Sequence, residues 1–361
     1  MVVLSTVSEA RANMDAMTHL IQGWAGLHLL QCHSGDSVLE GGANEQSRRR
    51  LREDGQQLLN MIQVNRSLYR AEESSESWTR YLDHIQDQVQ EGLLQMMFTT
   101  LQQLCDRTDS QSGAGVLLAV SLTLQETDGV FEPSLGGDLS DHLNSVITDA
   151  YAAAGELPRI SVSRHGNYQV CLQQHPALCQ LEQEVMQHLT QVKKEAEHLR
   201  AGLNRYSHLW ESDKMTAMEE FLTYGRQLGP EELEADVTPP TIKDYRREME
   251  VLHTLSTEVT HLDDVITLNS WLQVDLRPFR ESLLSIIYDW KHLYTEQLLT
   301  SLTDSLQQVR HRGNDDDDEE AAAAVSSPLR FPLTETVVLL ESAGVTLPEH
   351  LSAQLQEVMS L

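Results

Sequence analysis

The sequence predicts a mainly α protein of elongated, stacked helical bundles with one inserted β-hairpin. Three observations carry that expectation. Apolar residues recur at spacings of three and four through most of the 361 residues. One stretch, Val116 to Leu124, alternates apolar and polar with period two instead. Glycine and proline fall between the periodic runs, as at Gly229-Pro230 and Thr238-Pro239-Pro240.

The elements follow in order. Met14, Met17, Leu20, Ile21 and Trp24 form one stripe of a helix over residues 8–30. A polar gap with Gly41 and Gly42 separates it from a second helix over 46–71, striped by Leu51, Leu58, Ile62, Leu68 and Tyr69. Ser74 and Ser75 offer an N-cap to a third helix carrying Trp78, Leu82, Ile85, Val89, Leu93, Met96, Met97, Leu101 and Leu104. Period two then puts Val116, Leu118, Val120, Leu122 and Leu124 on one face of a strand. Asp128-Gly129 supplies the hairpin turn and Val130-Phe131-Glu132 the return.

Helix resumes after Ser140 with Leu143, Val146, Ile147 and Ala150. Residues 155–168 read as irregular. Helices are expected over 177–210, 213–228, 242–268 and 278–309, the last striped by Ile287, Trp290, Tyr294, Leu298, Leu302 and Leu306. From Gly313 the composition changes. Six consecutive acids, Asp315 to Glu320, precede Ala321 to Ala324 and predict a solvated, protease-sensitive linker before a short helical tail. The expected segments are a helical bundle over 1–107, the hairpin insertion over 108–137 and a second bundle over 138–310. The linker then covers 311–327 and the tail 328–361.

Acids outnumber bases 55 to 26, for a net charge of −29. That argues against nucleic acid or an anionic membrane as main partner, since each is held through a basic footprint. No apolar run approaches the roughly 18 residues that span a bilayer. Met1 to Val7 is apolar without a basic start, which does not fit a signal peptide. The four cysteines, Cys32, Cys105, Cys171 and Cys179, read as free thiols of an intracellular protein.

Chemistry-bearing patterns are sparse. None of the five lysines follows a glycine, so the P-loop pattern does not occur, and neither does GxSxG. His165, Cys171, His175 and Cys179 are the one metal-like grouping, but Pro176 interrupts the helix that would align them. Gly113-Ala114-Gly115 precedes a strand instead of following one. The acid run lacks the spacing of a calcium loop. No catalytic, cofactor or metal residue is therefore expected, and the tryptophans Trp24, Trp78, Trp210, Trp271 and Trp290 read as helix-packing residues. One run is unusual: from Trp271 through Asp275, Arg277 and Pro278 to Phe279, an aromatic and a charged pair lead into a helix whose first turn suits Pro278.

At this run the sequence closely resembles the axonemal dynein heavy chain family, outer-arm type, in the stem just before the linker and motor. The strongest match is WLQVDLRPFRESLLSIIYDWKHLYTEQLLTSLTDSL, Trp271 to Leu306. Others follow in family order: ARANMDAMTHLIQGW (Ala10 to Trp24), SWTRYLDHI (Ser77 to Ile85), FEPSL (Phe131 to Leu135) and NYQ (Asn167 to Gln169). YSHLWESDKMTAMEEFLTYGRQLGPEELE (Tyr206 to Glu234), with Trp210, Tyr224 and Gly225, and the closing FPLTETVVLLESAGVTLPE complete the set. Between Val309 and Phe331, where the family has a longer helical passage, a short acid- and alanine-rich run stands here.

The resemblance implies a non-catalytic stem segment that connects the axoneme-bound tail to the linker and motor. The P-loops and microtubule-binding stalk of that motor have no counterpart in these residues, so the chain reads as part of a longer heavy chain. Implied partners are other dynein heavy, intermediate or light chains, with the microtubule reached only through the full complex. The implied location is the cytoplasm, cytoskeleton and ciliary axoneme. The competing expectation is a stand-alone helical scaffold or adaptor of the cytoskeleton, which would require neither the hairpin nor the Trp271-to-Phe279 run.

Overall fold

The computed structural model describes residues 2–30, 44–110, 115–126, 128–161, 167–225, 239–312 and 333–359. The acidic run 313–332 and His165 lie outside the described residues, as does Cys32. The protein is mainly α, with twelve α-helices and one four-stranded sheet among the described residues. It divides into two units. The first comprises residues 1–122, 131–201 and 265–275; the second comprises 123–130, 202–264 and 276–361.

The first unit opens with α1 (Val2–Gly23), which ends in a short 3₁₀ turn, Trp24–Gly26. The helix α2 (Glu45–Tyr69) is capped by Asn44, whose side chain accepts from the N–H groups of Gln46 and Ser47. The expected cap of the third helix holds: Ser75 accepts from Trp78 N at the start of α3 (Glu76–Thr108). Most residues of the predicted stripes are buried: Met17 and Ile21 of α1, Trp24 of the 3₁₀ turn, Leu51, Leu58 and Ile62 of α2, and Ile85, Val89, Leu93 and Met96 of α3. Met14, Leu20, Leu68 and Leu82 are only half-buried. The α2 stripe stops short of its predicted end, since Tyr69 lies 51% exposed in the last turn.

Polar groups tie these helices at their contacts. Buried Trp24 donates from Nε1 to Asp54 Oδ2 at 3.0 Å. Fully buried Asn65 accepts from Asn13 and donates to Tyr81 Oη. Gln86 Oε1 accepts from Ile160 N and Tyr168 Oη at 3.0 and 2.7 Å, which fixes the segment between α4 (Asp138–Gly155) and α5 (Tyr168–Gln173) onto α3. The short α5 begins at the last residue of the stretch read as irregular and runs on where the sequence reading places no element. The predicted break at His175 is real: α6 (Pro176–Leu203) starts at the proline.

The alternating run forms β1 (Leu118–Gln125), and its alternation is the expected one: Leu118, Val120 and Leu122 are buried while Ala119 is exposed. Two details differ. Val116 precedes the strand and Leu124 is only half-buried, while Leu117 is buried as well. Asp128-Gly129 does not make the turn. Both residues belong to β2 (Asp128–Glu132), and the positive φ, 49°, falls at Glu126.

The larger correction concerns what accompanies this hairpin. Residues 265–268, expected to end a helix, form β3 (Val265–Leu268), and Leu272–Asp275, expected as a lead-in to helix, form β4. The sheet order is β2-β1-β4-β3. β4 pairs parallel to β1, with Leu118 opposite Leu272 and Val120 opposite Val274, and antiparallel to β3. The turn between β3 and β4 holds Asn269 and Ser270 at φ of 45° and 60°. A hairpin alone is marginal in water; here a second strand pair completes it.

In the second unit, the helix expected over 177–210 does not run through. After α6 come a 3₁₀ turn at Asn204–Tyr206 and the short α7 (His208–Glu211). Then α8 (Lys214–Tyr224) begins after Asp213, whose carboxylate accepts from Thr216 N. The next helix, α9 (Ile242–Thr260), opens with a reciprocal capping box between Thr241 and Asp244. It stops eight residues before the predicted end at 268, because the chain turns into β3. The 36-residue α10 (Arg277–Arg312) has α7, α9, α11 (Leu333–Ser342) and α12 (Glu349–Met359) packed along it.

Candidate functional site

Of the residues singled out by sequence, Trp271 and Asp275 bracket β4 in the first unit, and the others belong to α7, α8 and the first half of α10 in the second. Trp271 is 1% exposed, immediately before β4. Its carbonyl accepts from Leu117 N and Leu118 N at 2.7 and 3.0 Å, so this one residue registers the start of β1. Its indole Nε1 is buried without a hydrogen-bond partner among the described residues. Asp275 closes β4, opposite Ser121 on one side and Val265 on the other. Arg277 is the exposed first residue of α10, and Pro278 the second, where its fixed φ suits a helix start and its missing N–H removes no helical bond. Arg280 then pairs with Asp264 and donates to Leu262 O at 3.3 Å, which fastens the first turn of α10 to the end of α9.

Phe279 and Trp290, at different levels of α10, each meet α7. Trp210 meets Phe279 edge-on, with centroids 6.1 Å apart and planes at 82°. One residue earlier, Leu209 gives its carbonyl to Trp290 Nε1 at 3.0 Å. Trp290 is 3% exposed, as the stripe predicted. Lys214 and Asp289 join α8 to α10 by an ion pair at 2.7 Å.

Tyr224 and Gly225 end α8. Gly225 is buried at φ 70°, and its N–H closes the helix on Phe221 O at 2.8 Å. Glycine is needed there because the left-handed conformation costs a side-chain-bearing residue roughly 1 kcal/mol.

Sequence reasoning missed the centre of this cluster. Phe221, Tyr245 and Tyr294 form a three-ring set, each pair edge-to-face, at 4.9, 5.1 and 5.9 Å. All three are at most 2% exposed. Burial, with Tyr294 nearby, holds the Tyr245 phenol well above its ordinary range and keeps it neutral. The available signal was weak: Phe221 and Tyr245 each stand on an apolar stripe, and nothing local says that they meet.

Among the described residues no group of three or more His, Cys, Asp or Glu could hold a metal ion. His175 and Cys179 belong to the start of α6, and Cys171 to α5. No helix is long and apolar enough to cross a membrane, among the described residues.

The arrangement defines a helical structural segment, in which one long helix is fastened by aromatic packing and ion pairs to the shorter helices beside it. No protein-family model matches the sequence. The chain is 26% identical to dynein axonemal heavy chain 11 of Sus scrofa over 392 residues, covering 98% of the chain and 9% of that protein. It is 26% identical to dynein axonemal heavy chain 17 of Mus musculus, again over 98% of the chain and 9% of the relative. The ciliary dynein beta chain of Tripneustes gratilla is 27% identical over 71% of the chain. The chain is thus similar to a segment of these axonemal dynein heavy chains, and it spans less than a tenth of their length.

Proposed function

We propose that the chain acts as a non-catalytic stem segment of a dynein heavy chain and mechanically connects an axoneme-bound tail to the linker and motor. The supporting observation is the way α10 is held. At about 1.5 Å per residue its 36 residues extend roughly 54 Å. Trp290, Phe279, Asp289 and Arg280 fasten its first half to α7, α8 and the segment that follows α9. A helix braced sideways at several points resists bending and passes displacement along its axis. The resemblance of the Trp271-to-Leu306 run to the family's stem supports the same reading, and so does the coverage of nearly the whole chain by its relatives.

In this reading the partners are other heavy, intermediate or light chains of a dynein complex in the cilium. ATP hydrolysis belongs to motor modules that these residues do not encode. The test is to tag the full chain in ciliated cells, extract axonemes with salt and fractionate the extract by sedimentation. Co-sedimentation and co-precipitation with dynein intermediate chains is expected. Recovery of the chain as a free species, with no dynein subunit in the precipitate, would overturn the reading and favour a separate helical scaffold.

A further inference from the structure

β1 and β4 run parallel, with Leu118 opposite Leu272 and Ser121 opposite Asp275, and both paired stretches lie in the first unit. At the start of the pair, Trp271 O accepts from Leu117 N and Leu118 N at 2.7 and 3.0 Å. Leu118, Val120, Leu272 and Val274 form one face of the pair, and each is at most 3% exposed. Water has little access to the ladder from that face. A hydrogen bond in such a setting is electrostatically stronger than one in water.

The route of the chain through this pair decides how it carries tension. The helices α1, α2 and α3 precede β1, and α10, α11 and α12 follow β4. Tension along the backbone therefore enters at the N-terminal end of β1 and leaves at the C-terminal end of β4. In a parallel pair those are opposite ends, so the strands are drawn past each other along their own axes. The bonds of a parallel ladder are evenly spaced. Sliding strains all of them together, whereas a pull on two ends that lie side by side opens them one at a time.

We propose that the β1–β4 pair is a shear clamp. It holds when the chain is pulled lengthwise and shields the loop that it closes, residues 122–271, from tension carried by the backbone. That such tension acts in the cell rests on the stem reading above. The clamp itself follows from strand direction and chain order, so the two are tested apart.

The test is single-molecule force spectroscopy on the full chain, with handles attached through an azide-bearing amino acid. Handles at Ser110 and Glu281, exposed positions before β1 and after β4, load the pair in shear. Handles at Ser110 and Ser270 peel it instead. The Ser270 hydroxyl lies 3.5 Å from Ser110 O, so both attachment points stand at one end of the pair. Rupture under load reports the unfolding rate, which equilibrium stability does not fix. At one pulling speed the shear arrangement should rupture at no less than twice the force of the peeling arrangement. A second shear arrangement, Asp106 with Ser285, should reproduce the higher force from other exposed positions. Urea midpoints without load should agree among the handle-bearing chains, which shows that no handle has weakened the fold. Equal rupture forces in shear and in peeling, with both shear arrangements at matched midpoints, would overturn the clamp. Failure of the chain to sediment with dynein subunits would remove the stem reading and leave the dependence on direction standing.

Discussion

The indole of Trp290 donates to the main-chain carbonyl of Leu209 across 3.0 Å of buried space. Eighty-one residues separate the two in sequence. The bond satisfies a polar atom that burial would otherwise leave without a partner, and it fastens the short α7 to α10 at a second place besides the Trp210–Phe279 contact.

Trp290 therefore contributes both volume and a hydrogen bond, and two substitutions separate them. Trp290→Ala should cost about 3–5 kcal/mol, from lost burial and the cavity left behind. Trp290→Phe keeps most of the ring but leaves the Leu209 carbonyl without its donor, a loss of roughly 1–3 kcal/mol. Urea denaturation of each variant gives the two values. An unchanged midpoint for Trp290→Ala would mean that the stripe does not face a core.

Gly225→Ala should cost about 1 kcal/mol at φ 70° without changing the fold, because the penalty is local to the backbone. Circular dichroism should be unchanged while the urea midpoint falls modestly. A larger loss would mean that the added methyl group meets a neighbour.

The ends of this cluster differ in how far they could be read in advance. Trp290, Tyr294 and Leu298 recur at helical spacing, and the period alone puts them on one buried face. Pro278 announces a helix start by its own covalent geometry. Strands β3 and β4 were invisible for the opposite reason. Each has four residues, too few for a periodic signature, and Leu272 to Asp275 are ordered by β1, more than 150 positions earlier. Val265 to Leu268 follow α9 closely and extend its apolar spacing, so they read as helix until the tertiary partner is known. Asp-Gly is only a local preference for a turn, and here both residues are drawn into β2 while the positive φ falls at Glu126. The Phe221–Tyr245–Tyr294 contact is likewise a product of packing between three helices and has no local mark.

Acid sensitivity should arise in part at Glu156. Arg48 donates to its carboxylate, and Arg52 Nε joins from 2.6 Å. The hydrogen bond from Arg48, aided by Arg52 and only partly opposed by burial, holds the carboxyl below the ordinary glutamate range. A carboxyl depressed on folding stabilises the fold above its unfolded pKa, and that contribution is lost as pH falls through the folded value. Glu156→Gln should therefore destabilise at pH 7, and the gap from wild type should close below about pH 4. Thermal midpoints from pH 7 to pH 3 check this; a gap independent of pH would mean that Glu156 acts through packing alone.

Cys105 should be inert in the folded protein. Burial, reinforced by the neighbouring Glu184 carboxylate, pushes its thiol up to about 11, so almost no thiolate exists near neutrality. Its Sγ lies 3.6 Å from Glu184 Oε2. Iodoacetamide at pH 8, read by peptide mass spectrometry, should leave Cys105 unmodified in buffer and modify it fully in urea. Half-buried Cys171 and Cys179 provide the comparison within the same sample. Modification of Cys105 at the rate of those two would show that α3 and α6 separate readily at that point.

The alternation in β1 makes the sharpest stability prediction. Val120 is 3% exposed and stands opposite Val274 in the parallel pairing, while its neighbour Ala119 is exposed. A carboxylate at 120 would be taken out of water on a buried sheet face beside Val274. Val120→Asp should cost on the order of 3–5 kcal/mol, because the charge must be either desolvated or neutralised. Ala119→Asp places the same group in water and should stay within about 0.5 kcal/mol of wild type. Thr123 is a poorer control than Ala119, since its hydroxyl already donates to Val130 O at 3.3 Å and an aspartate there would oppose that carbonyl. Val274→Asp, on the partner strand, should match the cost of Val120→Asp, because the two side chains occupy adjacent places on one buried sheet face. Chemical denaturation of the three variants decides it. Equal effects at 119 and 120 would reject the alternation, and a mild Val274→Asp beside a severe Val120→Asp would reject the β1–β4 register.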